Sequence, residues 1–178
     1  MAAIAHAARA ENWPATLAAV VAHRAEIEAV ATARTLGLPV RIVPLNRSLD
    51  RAAQDRELAD CLAAEAIDWI VLAGYLRILS AEFVQRYAGR IVNIHPSLLP
   101  AFPGLDTHRR ALQAGVAQHG ATVHLVEPAL DSGPILGQAV VAVLPDDDED
   151  SLAARVLAAE HELYPRVLRA LFARAPSP

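Results

Sequence analysis

The chain has 178 residues, a formal net charge of −4, 54% hydrophobic and 20% charged residues, which suits one folded domain over 1–178 and excludes a disordered tail protein. No basic cluster could neutralise a run of phosphates, so nucleic acid is not an expected partner, and no apolar run is long enough to span a bilayer. The single Cys61 leaves no intramolecular disulfide or cysteine-based zinc site and fits a reducing cytoplasm, and the N-terminus lacks the pattern of a signal peptide.

Taken in chain order, residues 1–11 are Ala-rich and read as a helix ended by Asn12 and Pro14. The apolar run 17–22 is a buried strand. Residues 25–36 form a helix closed by Gly37 and Pro39, and 40–43 the next strand. Helical spacing over 50–66 precedes a strand at 69–73, and Ser80 is a helix cap for a short helix through 87. A strand at 90–94 carries Asn93, a helix covers 107–117, and strands at 121–126 and 135–143 are joined by a loop holding Asp131. The final helix, 151–173, is punctuated by Pro165, which predicts a kink. Strands alternating with helices predict an α/β fold, a doubly wound, mainly parallel sheet with helices on both faces.

The most informative stretch is Asn93-Ile94-His95-Pro96-Ser97-Leu98-Leu99. Residues two apart on a strand share a face, so the Asn93 amide and the His95 imidazole can converge on one reacting group. Pro96, Pro100 and Pro103 stiffen the loop that follows. Further on, Leu130-Asp131-Ser132-Gly133-Pro134 places a carboxylate in a turn between two apolar segments. An amide donor, an imidazole and a carboxylate are the parts needed for acyl-type transfer.

Other features have two readings each. The run Asp146-Asp147-Asp148-Glu149-Asp150 has the look of a metal site, but carboxylates ahead of a helix are favoured by its dipole, and a helix entry is the expectation. Glu160 falls on the apolar stripe Leu152, Val156, Leu163, Val167, where a carboxylate needs a partner, either a sugar hydroxyl or an internal Arg. Arg77, just past a strand end, either snorkels to water or serves a flat heterocycle with an anionic tail. His108, His119 and His124 lack the spacing of metal ligands, and no metal is expected.

Val71-Leu72-Ala73-Gly74-Tyr75-Leu76-Arg77-Ile78-Leu79-Ser80, the Asn93 to Pro100 stretch, Phe102-Pro103-Gly104-Leu105, the Asp131 loop and Glu160-His161 together resemble the phosphoribosylglycinamide formyltransferase family. The resemblance runs from residue 1 to about 173. It implies a formyltransferase-like fold and transfer of a formyl group from 10-formyltetrahydrofolate to the amine of glycinamide ribonucleotide in purine synthesis. The implied partners are these small molecules, with no nucleic acid or membrane partner expected. Residue by residue, the resemblance makes Asn93, His95 and Asp131 catalytic. It gives the folate pocket Arg51, Leu76, Arg77, Ile78, Leu79, Asn93, Glu127, Pro128, Ala129, Leu130 and Asp131, with Arg51 near the folate tail. Glu160, with Leu157, Ala158 and Ala159 before it, is implied to bind the ribonucleotide.

In that family a first strand and a Gly/Ser/Asn-rich phosphate loop come first, and Met1 aligns just after them. The usual C-terminal strand region is likewise absent beyond Phe172. The expectation is therefore an N-terminally shortened chain, with two unpaired sheet edges and a gap in the core. The alternatives are another formyl-folate enzyme, either a formyltetrahydrofolate hydrolase or a methionyl-tRNA formyltransferase domain, and a weakly active folate-binding remnant.

Overall fold

A computed structural model describes residues 1–46 and 48–174; the last four residues of the expected domain lie outside the described residues. Helix α1 (Ala2–Ala10) leads to strand β1 (Val20–Ala22), α2 (Glu28–Thr35), β2 (Val40–Ile42), α3 (Arg51–Ala64), β3 (Ile70–Leu72), α4 (Ala81–Arg86) and β4 (Ile91–His95). Then come α5 (Thr107–Gln113), β5 (Gln118–Leu125), β6 (Ile135–Ala142) and α6 (Glu149–Phe172). Every predicted element is present in the predicted order.

The α/β architecture has parallel pairing in its first four strands, β1 with β2 and β3 with β4. Pairing from β4 onward is antiparallel, in the order β3-β4-β5-β6. The β5–β6 connection is short enough to return the chain directly, whereas parallel pairing needs a crossover helix. Among the described residues β1 pairs only with β2 and β3 only with β4, so the two sheets present separate edges.

Adjacent residues of β4 point to opposite faces and seed two cores. Val92 joins Ala121 and Val123 of β5, Ala111 of α5, Ile4 of α1 and the inner stripe of α6. Ile91 joins Ala59 and Leu62 of α3 and Phe83 and Val84 of α4. Leu152, Val156, Leu163 and Leu168 of α6 are each at most 1% exposed. Burying each contributes about 1.5–3 kcal/mol, so α6 is fixed to the sheet as one rigid body.

Boundaries differ from expectation where the chain turns. α5 stops at Gln113, four residues short, because Gly115 adopts a positive φ of 63°. β5 begins at Gln118, three residues early. β4 extends to His95, so Asn93 and His95 both lie within the strand. α6 stays helical through the buried Pro165, although the ring removes the donor that the carbonyl of His161 would have met. The acidic run is the helix entry: Asp148 accepts from the Ser151 amide at 2.8 Å, while the Ser151 hydroxyl accepts from the Asp148 amide at 3.0 Å, a reciprocal cap. Asp147 is held by Arg155 at 2.6 Å and by the Leu144 amide at 2.8 Å, and the guanidinium keeps its carboxyl well below the usual range.

Candidate active site

Asn93 and His95 stand at the end of β4, and cross-strand register puts His124 of β5 directly opposite Asn93. Asp131, in the β5–β6 loop with φ of +48°, closes the group. Its Oδ2 lies 3.5 Å from His95 Nδ1, and its Oδ1 lies 3.9 Å from His124 Nε2. The side chains of His95 and Asp131 are 8% and 10% exposed, which strengthens their mutual field by excluding water. Asp131 is oriented by the Gly104 amide, which donates to Oδ2 at 2.8 Å. The three residues singled out for catalysis are thus brought to one place.

His124 was not among them, yet it orients the amide. Its Nδ1 faces the Leu125 carbonyl at 2.8 Å, and its Nε2 meets Asn93 Nδ2 at 3.3 Å. The carbonyl requires the proton on Nδ1, which leaves the Nε2 lone pair to accept from the amide. Burial lowers the proton affinity of His124, in keeping with this neutral tautomer. Asn93 then retains a second N–H for a substrate oxygen. The only sequence signal for His124 is its alternation with Thr122, and register alone makes it meaningful.

His95 Nε2 meets the Phe102 carbonyl at 3.0 Å, so the loop after β4 holds the ring. That loop is fixed by side chains as well as by prolines. Thr122 Oγ1 donates to the Ser97 carbonyl at 2.7 Å and accepts from the Leu99 amide at 3.0 Å. Gln138 Nε2 donates to the Leu99 carbonyl at 2.9 Å. Beneath it, His119 Nε2 meets His108 Nδ1 at 3.2 Å and its ring stands edge-on to Phe102. Burial, with repulsion from His108 and His95, pushes His119 down to about 4, so it is neutral at physiological pH and adds no charge beside His95.

The strip after β3 carries Leu76 and Ile78 outward, 86% and 51% exposed, while Leu79 is buried in the second core. Arg77 does not simply snorkel: its Nη2 donates to Gln54 Oε1 at 2.8 Å and lies 3.7 Å from Asp55 Oδ1. Arg51 is the exposed first residue of the same helix, α3. Glu127, Pro128, Ala129 and Leu130 are exposed on the approach to Asp131. On α6, Leu157 is 49% exposed and Ala158 exposed, with Ala159 and Glu160 half-buried. Glu160 has no ion-pair partner among the described residues, which disfavours the internal Arg, and burial pushes it up to about 7. One turn on, the Tyr164 hydroxyl reaches the Leu72 and Val92 carbonyls at 2.9 and 3.0 Å, tying the Glu160 segment to the strand that bears Asn93. A groove of about 390 Å³ lies elsewhere, between α1 and α6, and none of the trio lines it. Among the described residues no three His, Cys, Asp or Glu side chains form a metal-binding set, and no helix is long and apolar enough to cross a membrane.

An amide N–H and an imidazole beside a carboxylate are groups able to stabilise and protonate a tetrahedral adduct at a carbonyl carbon. A family model described as formyl transferase matches residues 1–168, and the chain belongs to that family. It is 44% identical over 166 residues to phosphoribosylglycinamide formyltransferase of Escherichia coli, covering 93% of this chain and 78% of that protein. The crystal structure of phosphoribosylglycinamide formyltransferase from Brucella melitensis superposes with a TM-score of 0.91 at 45% identity, over 99% of this chain and 91% of that one. A formyltetrahydrofolate deformylase from Pseudomonas syringae superposes with a TM-score of 0.88 at 28% identity, over 97% of this chain and 57% of that one.

Proposed function

We propose that this chain transfers the formyl group of 10-formyltetrahydrofolate to the amine of 5-phosphoribosylglycinamide, a step of purine biosynthesis. The observation that carries the proposal is the His95 ring held between the Phe102 carbonyl and Asp131 two residues along β4 from the Asn93 amide, which gives one N–H to His124 and keeps a second. The substrate amine attacks the formyl carbon and charge develops on the formyl oxygen. Asn93 donates to that oxygen. With Nε2 committed to Phe102, His95 exchanges protons through Nδ1, which lies 3.5 Å from Asp131 Oδ2. The carbon–nitrogen bond to folate then breaks, and the proton lost by the amine is delivered to the leaving folate nitrogen, so atoms and charge balance.

Leu76, Arg77, Ile78 and Leu79, with Glu127, Pro128, Ala129 and Leu130, form the folate side, and Arg51 meets the anionic tail. Glu160, which has no ion-pair partner among the described residues, takes a ribose hydroxyl, with Leu157 to Ala159 alongside. The same proposal sets the chain in the cytoplasm, where its free Cys61 stays reduced. The test incubates the purified chain with 10-formyltetrahydrofolate, with and without the ribonucleotide, and follows formylated product by mass spectrometry. Product that requires the ribonucleotide supports the proposal. Formate released equally without it makes the chain a deformylase, and folate binding without turnover makes it a binding remnant.

A further inference from the structure

Residues 76–79 belong to no strand or helix, so something other than a backbone ladder must hold them in place. The carboxylate of Asp55 on α3 is 1% exposed, and a buried charge persists only where it is matched by donors or cations. Its Oδ2 accepts from the Ser80 amide at 2.6 Å, the residue that ends the strip and caps α4. Its Oδ1 makes no hydrogen bond and faces the Arg77 guanidinium at 3.7 Å. The neighbouring Gln54 accepts directly from that guanidinium at 2.8 Å. Arg51 lies three and four residues before this pair, hence on the same face of α3.

We infer that Asp55 is a positioning residue for the folate co-substrate: it anchors the strip of residues 76–79 through the Ser80 amide and holds the Arg77 guanidinium on the α3 side. This rests on the formyl-transfer proposal. The two oxygens divide the work. Oδ2 sets where the strip's backbone lies, and Oδ1 supplies charge to Arg77 without a hydrogen bond that would lock it. An approaching ligand therefore meets a guanidinium that is restrained and still free to reorient.

The two functions separate by substitution. Asp55→Asn keeps an acceptor for the Ser80 amide and removes the charge. Asp55→Ala removes both. Gln54→Ala frees Arg77 and leaves the strip's backbone anchored. For Asp55→Ala the KM for 10-formyltetrahydrofolate should rise about tenfold or more, the scale of one lost hydrogen bond to a charged group. Asp55→Asn and Gln54→Ala should raise it about threefold to tenfold. In all three kcat and the KM for the ribonucleotide should stay within about twofold. Titration calorimetry with 10-formyltetrahydrofolate alone should show the same loss at equilibrium, and thermal unfolding establishes that each variant is folded. If Asp55→Ala does not fold, the other two carry the test. A wild-type chain that never transfers formyl sinks the formyl-transfer proposal, whatever the variants do. With an active wild type, variants that only lose thermal stability, or that lose kcat and both KM values together, overturn the positioning role.

Discussion

A ring nitrogen that already donates to a backbone carbonyl is not free for substrate, and in His95 that nitrogen is Nε2. Chemistry is left to Nδ1 and hence to the contact with Asp131. Replacing His95 with Ala removes the proton carrier and leaves the folate strip untouched. We expect kcat to fall by about 10²–10⁴, the usual value of a positioned acid–base group, with the KM for 10-formyltetrahydrofolate changed little. Steady-state kinetics with both substrates varied would check this, and a variant with wild-type kcat would end the mechanism. His124 matters through Asn93: its neutral tautomer accepts from the amide and so orients it, which under the formyl-transfer proposal leaves the second N–H for the formyl oxygen.

Among the elements, the β5–β6 loop has no room for a side chain at Gly133. A Cβ on Gly133 would sit 1.9 Å from the Leu125 carbonyl oxygen and 3.3 Å from Glu127 Cγ. The first of these is backbone and cannot rotate away. Gly133→Ala must therefore displace the loop two residues from Asp131. The expected loss is about 1–3 kcal/mol of stability, together with a fall in kcat of about 10², the cost of a displacement near 1 Å at a catalytic group. Urea unfolding and kinetics on the same preparation would test both. The cap of α6 should behave differently. Asp148→Ala removes the acceptor of the Ser151 amide and should cost about 1 kcal/mol. Because α6 is fixed by its buried stripe, the KM for the ribonucleotide should not change, and a large rise would show that the cap positions Glu160.

For the molecule as a whole, Glu160 ties stability to pH. Burial raises its folded value from 4.5 to about 7. Between those limits the folded chain holds more protons than the unfolded one, so this group's contribution to stability falls as pH rises through the window and is level on either side. Glu160→Gln should abolish that component. Urea midpoints from about pH 5 to about pH 8 should decline less with pH in the variant than in the wild type. Equal slopes would mean that Glu160 is not buried in a way that disfavours its charge. Under the formyl-transfer proposal the ribonucleotide supplies Glu160 with a hydrogen-bond donor, so its binding should reduce the same pH dependence.

The sequence by itself determined the order and type of every element, because periodicity, caps and turn residues act over one or two turns of chain. Ser80 and Asp50 cap their helices through the Phe83 and Ala53 amides, and Asp148 was legible within the acidic run. It also marked Asn93, His95 and Asp131 as candidates, since strand alternation brings the first two to one face. Asp55 could have been noticed, because it shares the buried spacing of Ala59 and Leu62. What only the tertiary structure decided was partnership across distance: Asn93 with His124, 31 residues on, Asp55 with Ser80, 25 residues on, and Tyr164 with Leu72, 92 residues back. Local pattern says which way a side chain faces. Strand order and register, set by packing of the two cores against β4, say what it meets there.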